Sequence, residues 1–270
     1  MNIWTKQDNI DVFNDTQRAI KNRKILSDAV AASNAAQQYL IGDEVPSFEN
    51  RFETDAQIVV SKSTSFGAAV QYGGEIAVLN FASATSPGGG VTHGSFAQEE
   101  CLCRCSTLYN NLISNDAMQK FYLPHRGGSP LHNDDIIYTP SVIIFKNDDY
   151  EDNGTMKKVN IITCAAPNLR ETPKYGKSVT ISPNELLELH KRRGRKILAT
   201  AAANKNDFVV LGAFGCGAFS NDPRIVAKAY KQILPEFKNC FKVIEFAIYC
   251  REYETSNYDI FKETFDDVLK

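Results

Sequence analysis

"EIAVLNFASATSPGGGVTHGSFAQEE", residues 75–100, runs from an apolar segment through three consecutive glycines to two adjacent glutamates. Its first part, with Ile76, Ala77, Val78 and Leu79 in succession, is apolar on both faces, as in a strand covered on each side. Glycines admit backbone angles closed to other residues and let a ligand come close to the main chain. Adjacent carboxylates repel unless something nearby favours them, so Glu99 and Glu100 raise the question of a site.

Further segments carry the β-branched and aromatic residues of strands. These are "QIVV" (57–60), "IIYTPSVIIFKND" (136–148), "KVNIITCAAP" (158–167), "DFVVLGAFG" (207–215) and "FKVIEFAIYC" (241–250). Pro140 divides the second of these into two β segments, at an edge or a bulge. Helical patterns fall between the strands. "SPNELLELHKRRGRKILATAAANK" (182–205) opens on Ser182, Pro183 and Glu185, a capping box with proline in the first helical position. "NDPRIVAKAYKQIL" (221–234) puts Asp222 at the cap and gathers Ile225, Val226, Ala229 and Ile233 on one face. The segment after Glu100, through "CLCRCSTLYNNL", also reads as helix. Strands alternating with helices predict an α/β layered sheet.

Ahead of these elements, Ala19, Ile20, Ile25, Leu26, Val30 and Ala31 recur at helical intervals. They predict a helix over residues 14–41, capped by Asn14 or Asp15 and ending near Gly42, with "DEVPSFENRFE" (43–53) as a connector. The expected division is a helical extension over 1–50, packed on a single domain over 51–270.

Composition narrows the function. With 43% apolar residues in 270 the chain can bury a real core. Thirty basic against 32 acidic residues give a net charge of −2, without the basic excess of a general nucleic-acid binder. No apolar run reaches the roughly 18 residues that span a bilayer, and the first residues lack the order of a secretory signal. Seven cysteines without scaffold spacing fit a reducing, cytoplasmic setting.

A second glycine loop, "GAFGCGAFSNDP" (212–223), follows the strand "DFVVL". In open α/β sheets ligands sit beyond the carboxyl ends of strands, where successive backbone N–H groups and a helix N-terminus favour anions. Two such loops suit a diphosphate, although either alone reads equally well as a tight turn. The dinucleotide fingerprint is broken by Ser220, and neither loop has the Gly-Lys-Ser/Thr of a P-loop. If a helix begins near residue 98, Glu99 and Glu100 lie in its first turn, where the helix dipole alone favours acids. Glycosidic chemistry asks for the same residue type, a carboxylic acid to protonate the leaving oxygen and a carboxylate to steady the sugar.

Gly88-Gly89-Gly90, a seven-residue spacer and Gln98-Glu99-Glu100 resemble the signature of the microbial-type poly(ADP-ribose) glycohydrolases, whose catalytic domain is a macrodomain. "LNFASATSPGGG", "IITCAAPN" and "LGAFGCGAFSNDP" extend the likeness over roughly residues 57–250. The resemblance implies a macrodomain-like three-layer α/β/α mixed sheet with an N-terminal helical extension. It implies hydrolysis of ribose–ribose bonds at a polymer end, with ADP-ribose, poly(ADP-ribose) or an ADP-ribosylated macromolecule as substrate and with no metal or cofactor. Glu100 would be the general acid and base. Glu99 and Asn80 would hold ribose hydroxyls, Gln98 would shape the loop, and Gly88, Gly89 and Gly90 would line the ribose. Gly215, Cys216, Gly217 and Ala218 would cradle the diphosphate, and Phe219 would pack on the ribose. The same pocket would serve a mono-ADP-ribosyl hydrolase or a non-catalytic ADP-ribose-binding module, but a binding module has no need of a proton donor.

Plainer readings stand beside these. Phe219 can cover a core, Asn80 can end a strand, and His93 reads as a solvent-exposed loop residue. Cys101, Cys103 and Cys105 raise zinc, but on a helix Cys103 faces away from the other two, which favours packing. "HKRRGRK" (190–196) reads as a solvated helix face.

Overall fold

The structure is a computed structural model and describes residues 4–152, 154–171 and 178–269. Its centre is one seven-stranded sheet in the order β1-β4-β5-β3-β6-β7-β2. The strands are β1 (Gln38–Leu40), β2 (Gln57–Ser61), β3 (Ile76–Ala82), β4 (Ile136–Ile144), β5 (Lys157–Ala165), β6 (Phe208–Leu211) and β7 (Val243–Ala247). From β5 to β2 neighbouring strands are parallel, while β4 is antiparallel to both β1 and β5. The sheet is therefore mixed, as expected.

The two-residue period of a strand divides the core into two layers. On β3, Ala77 and Leu79 enter one apolar cluster, while Ile76 and Val78 enter the other. The first cluster is completed by α8 (Pro183–Ala203), α9 (Pro223–Ile233) and α10 (Ser256–Phe265), through residues such as Ile197, Tyr230 and Phe261. The second is completed by α1 (Lys6–Asn22), α3 (Ser65–Ala69), α4 (Gln98–Cys105) and α5 (Leu108–Leu112), through Phe13, Phe66, Leu102 and Leu108, and the short α6 (Asn115–Ala117) and α7 (Leu123–His125) follow. Parity then puts Asn80 on the α4 side and Phe81 on the other. That alternation fixes where the site can form.

Both capping expectations for the later helices hold. Ser182 accepts from Glu185 N while the Glu185 carboxylate accepts from Ser182 N, and Asp222 caps α9 with Pro223 in the first turn.

The N-terminal segment differs from the single helix expected. It forms α1 and α2 (Lys24–Ala35), broken at Arg23, and then strand β1. Asn14 and Asp15 lie inside α1. The cap is Thr5, in a capping box with Asp8. Arg23 leaves the helix to pair with Asp152 and to lie over the Phe145 ring. Residues 38–40 leave the helical pattern because β4 offers them an antiparallel ladder, with Tyr39 opposite Ile137. The segment also touches the glutamate-bearing region directly. Thr16 Oγ1 donates to Arg104 O at 2.6 Å, and Asn9 Nδ2 donates to Gly94 O at 3.2 Å.

Two further differences are local. β4 is one interior strand where two segments were expected, and of the two places expected for Pro140 it takes the bulge, between Thr139 and Val142. Pro140 has no N–H for the ladder, and the N–H of the next residue, Ser141, donates to Asn160 Oδ1 at 3.0 Å. The helix after Glu100 stops at Cys105 and resumes at Leu108, because Ser106 pairs with Ile144 and Thr107 N donates to Ile143 O.

Candidate active site

β3 and β6 are adjacent and parallel, so the glycine loops that follow them open at the same sheet edge. Their bases touch, with the Phe81 and Phe214 ring centroids 5.6 Å apart. The β3–β6 ladder is recorded only to Val78–Val210. Beyond it the Gln98 side chain pairs with the β3 backbone, its Nε2 donating to Leu79 O at 2.7 Å and its Oε1 accepting from Phe81 N at 2.9 Å. An amide fits this place because it presents a donor and an acceptor side by side, as a neighbouring strand would. Gln98 thereby holds the start of α4 against the end of β3.

That attachment brings both glutamates inward. Glu99 is 3% and Glu100 7% exposed. Glu99 Oε2 accepts from Ser83 N at 2.8 Å, and its Oε1 from Asn80 Nδ2 at 3.3 Å. Asn80 also donates to Thr163 Oγ1, which leaves its Oδ1 buried and unpartnered. Glu100 Oε1 accepts from Gly90 N at 2.8 Å, and Oε2 is buried without a partner. Two orphaned polar oxygens thus belong to one buried cluster, a costly arrangement unless a ligand completes it.

The glycines explain how a loop can wrap these carboxylates. Gly89 has φ +59°, and a Cβ there would stand 2.5 Å from Glu100 Oε1 and 3.1 Å from Glu99 Oε2. Burial pushes the Glu99 carboxyl up to about 8. The Ser83 and Asn80 hydrogen bonds oppose the rise and the charge of Glu100 adds to it. Glu99 therefore holds its proton at neutral pH. Because this pKa is raised by folding, its contribution to stability is complete below pH 4.5 and is lost as pH rises through 8. Thermal melts from pH 5 to 9 should show Glu99→Gln removing much of the decline on the alkaline side. A wild-type decline fully retained in that variant would place the titrating group elsewhere.

The second loop is organised by Asn221, 2% exposed. Its Nδ2 donates to Pro167 O at 2.7 Å, Gly215 O at 3.1 Å and Phe219 O at 3.2 Å. Gly215 has φ +79°, and a Cβ there would meet Ala166 at 2.6 Å and Asn221 Nδ2 at 2.7 Å. With Nδ2 committed as donor, Asn221 Oδ1 must accept, so the His190 Nε2 at 2.8 Å carries the hydrogen. Burial pushes His190 down to about 4, which keeps the ring neutral. Gly217 and Ala218 are exposed at the crest, and Cys216 and Phe219 are half-buried. Phe219 lies under the Arg170 guanidinium, 5.5 Å from it, and 6.4 Å from the His132 ring. The loop runs into the N-terminus of α9, where partial positive charge favours an anion.

Two chain-wide comparisons bear on this arrangement. Residues 3–147 match the family described as "Microbial-type PARG, catalytic domain", which is more than half of the chain. The chain belongs to the microbial-type PARG family. The poly(ADP-ribose) glycohydrolase of Thermomonospora curvata superposes with a TM-score of 0.84 at 27% identity, over 96% of this chain and all of that one. The same enzyme bound to the inhibitor ADP-HPD gives 0.82. The Deinococcus radiodurans poly(ADP-ribose) glycohydrolase in complex with ADP-ribose gives 0.77 at 30% identity, over 89% of this chain and 98% of that one. No curated protein matches the chain by sequence.

In this PARG-family chain Glu99, Glu100, Asn80, Gln98 and Gly88–Gly90 come together at the end of β3, and Gly215–Phe219 stand on the neighbouring loop. His93 is exposed, its Nδ1 3.0 Å from Thr92 Oγ1. Cys103 and Cys105 are buried in the core, and Cys101 Sγ accepts from Arg104 and Tyr150. Among the described residues no group of three or more His, Cys, Asp or Glu is placed to hold a metal.

"HKRRGRK" departs from its solvated reading. His190, Arg193 and Lys196 are 0–1% exposed. Arg193 pairs with Asp134 at 2.8 Å and donates to Ala165 O, Leu131 O and His132 O, tying the 131–135 segment to the end of β5. The signal available in sequence was the spacing itself, since residues 190, 193 and 196 share a helix face with Leu186, Leu189 and Ile197. His190 acts on the second loop through Asn221. His190→Leu should raise the ADP-ribose Kd about tenfold by freeing Asn221, and His190→Gln, which restores an N–H donor, should recover most of it. Equal affinities for wild type and His190→Leu in calorimetry would remove it from the site.

Proposed function

We propose that the protein hydrolyses the ribose–ribose O-glycosidic bonds of poly(ADP-ribose) from the polymer end, releasing ADP-ribose, with Glu100 as general acid and then base. The observation that carries this is the buried Glu99–Glu100 pair, folded under a glycine loop, in which only Glu100 keeps an oxygen uncommitted. Both Glu99 oxygens are fixed by Ser83 N and Asn80, so Glu99 is suited to hold ribose hydroxyls together with the free Oδ1 of Asn80. Glu100 Oε2, buried and uncommitted, is the atom placed to give a proton to the oxygen that leaves the anomeric carbon. The positive charge that develops on the sugar is stabilised by the remaining carboxylate charge. Once the leaving unit departs, the Glu100 carboxylate can take a proton from the attacking water.

Sheet order supports a matching course for the rest of the substrate. Ribose beyond β3 and diphosphate beyond β6 put the adenine toward β7 and β2, the next strands across. After β7, Tyr249 and Tyr253 are 62% and 78% exposed, offering flat faces for a base. Gly88, Gly89 and Gly90 line the reacting ribose, Phe219 holds it, and Gly215, Cys216, Gly217 and Ala218 receive the diphosphate. No helix among the described residues is long and apolar enough to cross a membrane. Seven free thiols suit a reducing cytoplasm.

The test is to incubate the purified protein with poly(ADP-ribose) and with mono-ADP-ribosylated protein and to identify the products. ADP-ribose released from polymer supports the reading. Release from mono-ADP-ribosylated protein alone replaces it with a mono-ADP-ribosyl hydrolase, and binding without release replaces it with a non-catalytic module.

A further inference from the structure

Two arginines stand on the rim of the site without a carboxylate partner. Arg126 donates through Nε to Thr85 O, in the loop that leads to the triple glycine. Arg170 donates through Nε to Ala218 O and lies over the Phe219 ring, in the loop assigned to the diphosphate. Among the described residues neither makes an ion pair, whereas Arg192 and Arg193 share Asp134 and Arg195 pairs with Glu236. Arg126 is exposed and Arg170 half-exposed, so both can meet a ligand from solution.

The segment between them is fixed, which makes the two arginines parts of one rim. His125, next to Arg126, has its ring 6.5 Å from His132, and His132 is 6.4 Å from Phe219. Asn168 N donates to Pro130 O and Leu169 N to Phe219 O, attaching the Arg170 segment to the same rim. Among the described residues each guanidinium hydrogen-bonds through its Nε alone, and the two terminal nitrogens of the fork, the ones that match phosphate oxygens, have no hydrogen-bond partner.

We propose that Arg126 and Arg170 form a subsite for the phosphates of the ADP-ribose unit on the far side of the scissile bond. The inference rests on the functional reading above. The diphosphate of the unit in the pocket already has the backbone N–H groups of the second loop and the N-terminus of α9. The leaving unit has no such provision, yet it carries its own diphosphate and must approach a pair of glutamates. Arg126, on the Thr85 loop, and Arg170, on the outer part of Phe219, border the reacting ribose on both sides. Two cations there offset the repulsion and favour polymer over a single unit.

The experiment uses Glu100→Gln protein, so that polymer is bound without being cut, and compares it with the same protein carrying Arg126→Gln, Arg170→Gln or both. Short poly(ADP-ribose) and free ADP-ribose are the probes, measured by anisotropy and calorimetry across a range of salt. The expected result is a fall in polymer affinity of about tenfold in the double variant, with the slope of log affinity against log salt reduced by about 1 per arginine. ADP-ribose affinity should stay within about twofold, and Arg→Lys at both positions should retain most of the salt dependence. Polymer and ADP-ribose affinities falling together would overturn the proposal, because the arginines would then serve the unit in the pocket. An unchanged polymer affinity would overturn it as well. Wild-type protein that binds polymer but does not cut it would count against the hydrolase reading alone, since this test reads binding.

Discussion

Glu100→Gln should lower polymer hydrolysis by about 10³-fold or more while leaving the ADP-ribose Kd within a few-fold. Gln keeps the shape of the side chain and can still present an oxygen to Gly90 N, so the loop has no reason to move. What it loses is the transferable proton, and with it both the donation to the leaving oxygen and the later activation of water. Glu99→Gln should behave differently. Glu99 is committed to Ser83 N and Asn80 and carries the pKa raised to about 8, so its loss should affect ribose binding and the alkaline limb of the rate profile together. In wild type, activity should fall as pH rises through about 8, where Glu99 gives up its proton. Product release by Glu100→Gln at near wild-type rate, read by chromatography of free ADP-ribose, would assign the acid to another group.

Much of this arrangement was legible in the chain before folding. β3 reads from its unbroken apolar run, α8 from Ser182-Pro183-Glu185, α9 from Asp222-Pro223, and the site from glycine spacing ahead of Gln98-Glu99-Glu100. Each is a local signal. What was missed depends on partners far away in sequence. Gln38–Leu40 became a strand because β4, about a hundred residues on, had an open edge. Ser106 broke its helix because it pairs with Ile144. Arg193 reads as a surface charge until Asp134 and three backbone acceptors surround it. Asn221 carries no local signal in the sequence, and its place as the hub of the second loop needs Pro167, Gly215 and His190 at once. Local periodicity records none of these.

Gly89 is where backbone freedom and chemistry meet, and Gly89→Ala should damage turnover far more than it damages the fold. At φ +59° an alanine costs roughly 1–2 kcal/mol in backbone strain alone. The larger effect is local, since the new Cβ would lie 2.5 Å from Glu100 Oε1 and 3.1 Å from Glu99 Oε2. Neither carboxylate can give way freely. Glu99 is held by Ser83 N and Asn80, and Glu100 by Gly90 N. The loop must therefore lift, which breaks the Gly90–Glu100 hydrogen bond and moves Glu100, the proposed proton donor, from its place. A displacement of about 1 Å at a reacting group is worth about 10²-fold in rate, so kcat should fall by about that factor or more. Gly89 lies on the first loop and the proposed diphosphate groups on the second, so ADP-ribose binding should weaken far less than turnover, and the Tm should drop by only a few degrees. Alanine at Gly217 is the control, because no atom lies within 4 Å of a Cβ there. Equal kcat losses at positions 89 and 217 would mean that the damage is general to glycine loops and does not come from the carboxylates beneath Gly89.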